Sequence, residues 1–193
     1  MAKVRKITQV ALGTAFEAAC AEDPAQKARV LKAAHQHLPG HSTGDAMAVQ
    51  LRQAVVMDLP AIYRGEEHYI RRWEPEHEAA WRNQLERHLR RWVENFDRFT
   101  VALVGDQFAG YSLWTPEQDH AELCTIHVVP ECRRNGIGRL LMDAWSADAA
   151  KAGFTRLQLS VRPDNPARAM YESAGFQRIG TDAHGYLLYE RCA

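Results

Sequence analysis

The chain is expected to fold as a mixed α/β sheet flanked by helices, with a helical extension at its N-terminus. Three observations carry that expectation. Short apolar runs of strand type recur from Phe99 onward, the first two joined by Gly105-Asp106, a hairpin signal. Two strands, around Ile126 and Leu159, are separated by a stretch of helical periodicity, which favours parallel pairing with a right-handed crossover. The segment LPGHSTGDA, Leu38 to Ala46, is rich in turn-forming residues and reads as a linker. It divides an extension, residues 1–46, from a domain, residues 47–193.

In the extension, Ile7 to Cys20 carries a weak apolar stripe of Val10, Ala11, Ala15 and Ala18. A second helix is expected from Pro24 to Leu38, with Asp23 as its cap and Pro24 in its first position. The apolar faces of these helices are too small to fold alone, so they are expected to dock on the domain or on a second subunit as a homodimer. In the domain, Ala48 to Gln53 alternates as a strand. Asp58 is expected to cap a helix running to Arg72, with Pro60 in its first turn. Pro75 opens a charged helix expected to run to Asn95. Strands follow at Phe99 to Val104, Phe108 to Trp114 and Leu123 to Val129. Gly138 to Ala152 is helical, with Leu141, Trp145 and Ala149 on one face and Gly153 as its stop. Leu157, Leu159 and Val161 alternate in the next strand. Asn165 caps a short helix that Gly175 ends, and a hairpin from Phe176 to Glu190 closes the fold.

Composition narrows the function. The formal charge is zero over 193 residues, with 25 % charged and 46 % apolar. Such balance supplies no electrostatic case for nucleic acid or an anionic membrane. No apolar run reaches the length of a bilayer span. The basic-then-apolar N-terminus is broken by Thr8, Gln9, Thr14 and Glu17, so a cytoplasmic protein is expected. Cys20, Cys124, Cys132 and Cys192 form no C-x-x-C and suggest no zinc site. His35, His37 and His41 read as solvated, so no metal is expected.

The chemistry concentrates in two segments. In VVPECRRNGIGRLLMDAW a strand ends at Pro130, a basic turn follows and a helix begins at once. Gly136 and Gly138 allow close backbone approach. The new helix turns its free N–H groups and its dipole toward an anion, and Arg133, Arg134 and Arg139 add positive charge. The pattern calls for phosphate or pyrophosphate, yet it is neither a P-loop nor a dinucleotide fingerprint. The second segment holds Asn165, Ala169, Tyr171, Gly175 and Phe176 in the spacing N-x-x-x-A-x-Y-x-x-x-G-F.

Together these segments resemble the GNAT superfamily of acetyl-CoA-dependent N-acetyltransferases. Arg133, Arg134, Asn135, Gly136, Ile137 and Gly138 match its R/Q-x-x-G-x-G/A loop, and the likeness spans Ala48 to Arg191. The resemblance implies a splayed central sheet with acyl-CoA in the gap between two parallel strands. The pantetheine would pair with the backbone of Ile126, His127 and Val128. The pyrophosphate would sit on N–H groups from Arg134 to Arg139. Asn165 and Tyr171 would flank the cofactor from the other side, Tyr171 as general acid.

Amine chemistry sets the remaining demands. A lysine-type amine, of pKa about 10.4, attacks only when neutral, so a base must help. Glu122 is the candidate, since its spacing from Arg133 resembles that of the catalytic glutamate in histone-acetylating members. His120, His127 and a water chain are rivals. Strand alternation would put Glu122, Cys124, Ile126 and Val128 on one face. The Val128 N–H is the candidate for the developing oxyanion. Glu66, Glu67 and Glu74 lie where the family borders its acceptor and could attract a cationic amine. The expected activity is acetyl transfer from acetyl-CoA to a primary amine within a ternary complex. The alternative is a non-catalytic acyl-CoA-binding or regulatory module, against which Tyr171 and the intact loop argue.

Overall fold

The computed structural model describes residues 48–193. The two helices expected before Leu38, the linker and the trio His35, His37 and His41 lie outside them. The described strands are β1 (Val49–Gln53), β2 (Phe99–Val104), β3 (Gln107–Pro116), β4 (Ala121–Val128), β5 (Arg156–Val161), β6 (Gln177–Thr181) and β7 (Leu187–Cys192). The helices are α1 (Leu59–Trp73), α2 (Glu78–Arg82), α3 (Leu85–Glu94), α4 (Ile137–Lys151) and α5 (Arg168–Ser173). The strands form one sheet in the order β1-β2-β3-β4-β5-β7-β6. All pairs are antiparallel except β4 with β5, which α4 joins as the expected crossover.

Each face of the sheet has its own core. On one face α4 buries Leu141, Met142, Trp145 and Ala149, and Trp145 stacks on Phe176 with ring centroids 5.7 Å apart. On the other, Ile62 of α1 and Trp92 of α3 pack with Phe99, Val101, Tyr111 and Leu113. A large apolar side chain buried in this way contributes about 1.5–3 kcal/mol. The glycine stops act as expected. After α4, Gly153 (φ 91°) lets Phe154 donate back to the Ala149 carbonyl at 3.0 Å. After α5, Gly175 (φ 85°) lets Phe176 donate to the Tyr171 carbonyl at 3.1 Å. Both are the left-handed helix ending that satisfies otherwise orphaned carbonyls.

Four local expectations are corrected. The single helix from Pro75 to Asn95 is a 3-10 turn, Pro75–His77, followed by α2 and α3. The break falls at Asn83 and Gln84, where Gln84 leaves helical geometry (φ −111°, ψ 18°). Asparagine favours turns over helix interiors, and the break turns Trp81 inward between Tyr63 (5.3 Å) and His88 (5.1 Å). Asp58 does precede α1, but its carboxylate makes no cap bond to the helix. It takes the Arg52 guanidinium at 2.7 and 2.9 Å and the Val55 N–H at 2.7 Å instead, because a two-point charged pair outcompetes a cap. The short helix α5 begins at Arg168, and Asn165 shapes the turn before it by accepting from the Ala167 N–H at 2.9 Å.

The fourth correction concerns β4. Its register against β3 slips between Leu113 and Trp114: Leu113 faces Thr125, Trp114 faces Leu123, and Cys124 is the extra residue. Such a bulge reverses the alternation beyond it. Glu122 and Cys124 therefore share their face with Thr125 and His127, toward α1 and α3. Ile126 and Val128 join the α4 side with Ile137 and Leu141.

Candidate functional site

Strands β4 and β5 touch only at their starts. Ala121, Glu122 and Leu123 pair with Leu157, Gln158 and Leu159, and then the strands part. From Cys124 to Val128 the β5-facing edge of β4 has no strand partner among the described residues, which opens a gap in the sheet. Successive N–H groups of a strand point to opposite edges. The Val129 N–H is bonded to Ala109 on the β3 side at 3.0 Å. Those of Val128 and Ile126 therefore point into the gap. The His127 carbonyl faces Gly110 of β3 so closely that a Cβ there would lie 2.5 Å from it. Ile126 and Val128 thus offer backbone to the gap, whereas His127 offers its ring to the α1 side.

The basic turn stands at the mouth of this gap. Arg134 (φ 67°) and Gly136 (φ 79°) both take left-handed conformations, which coil the backbone just before Ile137 starts α4. The N–H groups of residues 134–138 have no hydrogen-bond acceptor among the described residues. The Arg139 N–H differs, since it donates to the Gly136 carbonyl at 3.0 Å. Such N–H groups at the positive end of a fifteen-residue helix, without acceptors among the described residues, are able to hold an anion. Arg133 Nε donates to the Val128 carbonyl at 2.8 Å, which fixes its guanidinium at the gap. Arg139 is turned away, toward Asp143 (3.1 Å) and the Ser173 carbonyl (3.3 Å). Asn135 donates to the Cys132 carbonyl at 3.4 Å and stays with the turn. Gly138 lets Met170 of α5 pack close to the helix start, since a Cβ would lie 2.9 Å from its Sδ. Buried Ile137 anchors the helix start in the core.

Tyr171 comes from α5 and is buried, its ring edge-on to Phe176 at 6.3 Å. Burial first, and the neighbouring Tyr69 of α1 second, push its phenol well above the ordinary value, so it keeps its proton. Asn165 stands in the turn that leads into the same helix.

The α1-facing side of β4 carries the candidate bases. Glu122 sits one residue before the last paired position, with His120 Nε2 at 3.4 Å. Burial raises its carboxyl, and His120 offsets only part of that rise. His127 stacks on Tyr111 at 5.7 Å and meets His68 at 5.8 Å. Burial, Arg133 and His68 lower it to about 4, so it is neutral at physiological pH and weak as a base. The Cys124 thiol lies against Arg91 Nη2 (3.0 Å) and Thr115 Oγ1 (3.2 Å).

The three α1 glutamates part company. Glu67 pairs with Arg82 (2.6 Å) and Arg71 (3.1 Å) on the surface. Glu74 takes the Tyr186 hydroxyl from the turn between β6 and β7. Glu66 instead reaches the sheet, where its Oε1 accepts from Tyr111 OH and Thr125 Oγ1, each at 2.7 Å. Helical spacing contained this signal: Ile62, Glu66 and Tyr69 fall on one face of α1, and Ile62 is fully buried. Among the described residues no group of acidic, histidine and cysteine side chains is arranged to hold a metal ion. No helix among them is long and apolar enough to cross a membrane.

Residues 62–176 match the family model described as the acetyltransferase (GNAT) family. A curated relative, the [ribosomal protein bS18]-alanine N-acetyltransferase of Escherichia coli K12, is 34 % identical over 121 residues, covering 62 % of this chain and 74 % of the relative. The fold is similar to that of the PaiA N-acetyltransferase of Thermoplasma acidophilum, solved in complex with coenzyme A. The TM-score is 0.66 at 19 % identity, covering 76 % of this chain and 100 % of that one. The ribosomal-protein-alanine N-acetyltransferase of Brucella melitensis gives 0.62 at 22 % identity, covering 75 % and 99 %.

Proposed function

The chain belongs to the GNAT acetyltransferase family, and on that premise we propose that it transfers an acetyl group from acetyl-CoA to a primary amine by direct attack in a ternary complex. The observation that carries this reading is the run of N–H groups at residues 134–138, without acceptors among the described residues, set at the mouth of the gap between β4 and β5. Acetyl-CoA supplies an activated thioester acetyl group. Relatives named as ribosomal-protein alanine N-acetyltransferases support the α-amino group of a protein N-terminus as the acceptor.

Each residue then has a task. The N–H groups of residues 134–138 hold the pyrophosphate, with Arg133 beside them. The gap-facing backbone of Ile126 and Val128 pairs with the amide groups of the pantetheine arm, and Asn165 holds the turn on the opposite side. The Val128 N–H meets the charge that builds on the acetyl oxygen. Glu122 takes the amine's proton, and its raised carboxyl makes it a better acceptor than an ordinary glutamate. Tyr171, still protonated, gives its proton to the departing thiolate.

Direct attack is tested by initial velocities measured while both substrates are varied. Intersecting double-reciprocal lines are expected. Parallel lines would mean an acyl-enzyme, with Cys124 beside Arg91 as the first nucleophile to examine, and would overturn the ternary-complex reading.

A further inference from the structure

We propose that Glu66 is the residue that binds and orients the acceptor's amine, held for that task by hydroxyl groups from β3 and β4. The proposal rests on the acetyltransferase reading above and adds a residue to its acceptor side.

The construction begins at Gly65. A Cβ there would lie 2.7 Å from the Tyr111 hydroxyl, so α1 and β3 approach more closely than any side chain at that position would permit. That approach brings the Tyr111 hydroxyl onto both the Ile62 carbonyl (3.2 Å) and Glu66 Oε1 (2.7 Å). Thr125 Oγ1 reaches the same carboxylate oxygen at 2.7 Å. Two hydroxyl donors on one oxygen fix a carboxylate's direction. Thr125 belongs to the stretch of β4 that has left β5, and the bulge at Cys124 is what turns it toward α1. Glu66 is thereby pinned to the rim of the gap.

Its surroundings suit an amine. Tyr69 lies three residues along α1 on the same face, its phenol raised to about 12 by burial first, then by Glu74 and more weakly by Glu66, with Arg162 opposing. Also on this side are the Tyr111 and Thr125 hydroxyls, the His68 ring and the neutral His127 ring, with Glu74 and Arg162 near Tyr69 and Arg133 near His127. A carboxylate first attracts an ammonium ion. Once the amine is neutral, the carboxylate accepts one of its N–H bonds and leaves the lone pair free to be directed at the acetyl carbon. Orientation of this kind is an effect on binding and alignment, separate from removal of the proton by Glu122.

The test uses the full chain and a peptide with a free α-amino group. Glu66→Gln keeps an oxygen for the Tyr111 and Thr125 hydroxyls but removes the charge. It is expected to raise the peptide KM about tenfold or more. The acetyl-CoA KM, the acetyl-CoA-induced rise in Tm and the acid limb of the kcat–pH profile should stay as in the parent. Glu122→Gln in the same assay should do the reverse, flattening the acid limb with the peptide KM held. An unchanged peptide KM in Glu66→Gln overturns the proposal, and so does a lost acid limb, which would make Glu66 the base. If Glu66→Gln melts early without ligand, Thr125→Val serves in its place. A several-fold rise in peptide KM is then expected, and none would overturn the proposal. Parent protein that binds acetyl-CoA yet acetylates no amine would instead remove the acetyltransferase reading itself, and this inference with it.

Discussion

Gly136→Asp is expected to abolish the rise in melting temperature that saturating acetyl-CoA gives the full chain. In the parent, ligand at about 100 times its Kd should add ~2.7 kcal/mol of stability. Gly136 sits at φ 79°, a left-handed position that aspartate tolerates better than most side chains. A Cβ there meets nothing within 4 Å, so the variant should fold. Its carboxylate, however, would stand among the N–H groups of residues 134–138 and repel the phosphates they are meant to hold. The unliganded melting point should fall in keeping with the cost of one side chain in a left-handed position, ~1 kcal/mol, while the ligand shift disappears. A variant that keeps the full shift would place the pyrophosphate elsewhere.

Tyr171→Phe is expected to lower kcat by about 10²-fold or more, the ordinary worth of a positioned general acid. The ring should keep its edge-on contact with Phe176, so folding and the acetyl-CoA-induced rise in Tm should survive. The loss should appear in kcat with little change in either KM, because the hydroxyl acts on the departing thiolate rather than on a bound ground state. Unchanged turnover would remove Tyr171 from the chemistry and leave it as packing.

Much of this architecture could be read from the residues because it is governed locally. Gly153 and Gly175 end their helices through hydrogen bonds that span a few residues. The α4 crossover follows from one helix between two apolar strands, and the coiled turn before α4 follows from glycines at a helix start. What stayed hidden depends on partners far along the chain. The bulge at Cys124 exists only against β3, and it reverses which face Ile126 and Val128 occupy. Asp58 abandons its cap because Arg52 of β1 is there to pair with it. The break at Asn83 is set by where Trp81 finds Tyr63 and His88. Glu66, Glu67 and Glu74 look alike in sequence. They separate only when Tyr111 and Thr125 claim the first, Arg71 and Arg82 the second and Tyr186 the third.

One gap is expected both to bind acetyl-CoA and to pass its acetyl group to an amine. This is tested most directly by measuring free thiol and acetylated product in one reaction of the full chain with acetyl-CoA and a peptide bearing a free α-amino group. Thiol and acetyl-peptide are expected in equal amounts, with the acetyl group on the α-nitrogen and no thiol above the spontaneous rate when the peptide is omitted. Protein whose melting point rises with acetyl-CoA, but which releases no thiol with this peptide or with any other primary amine, would contradict the account and describe a binding module instead.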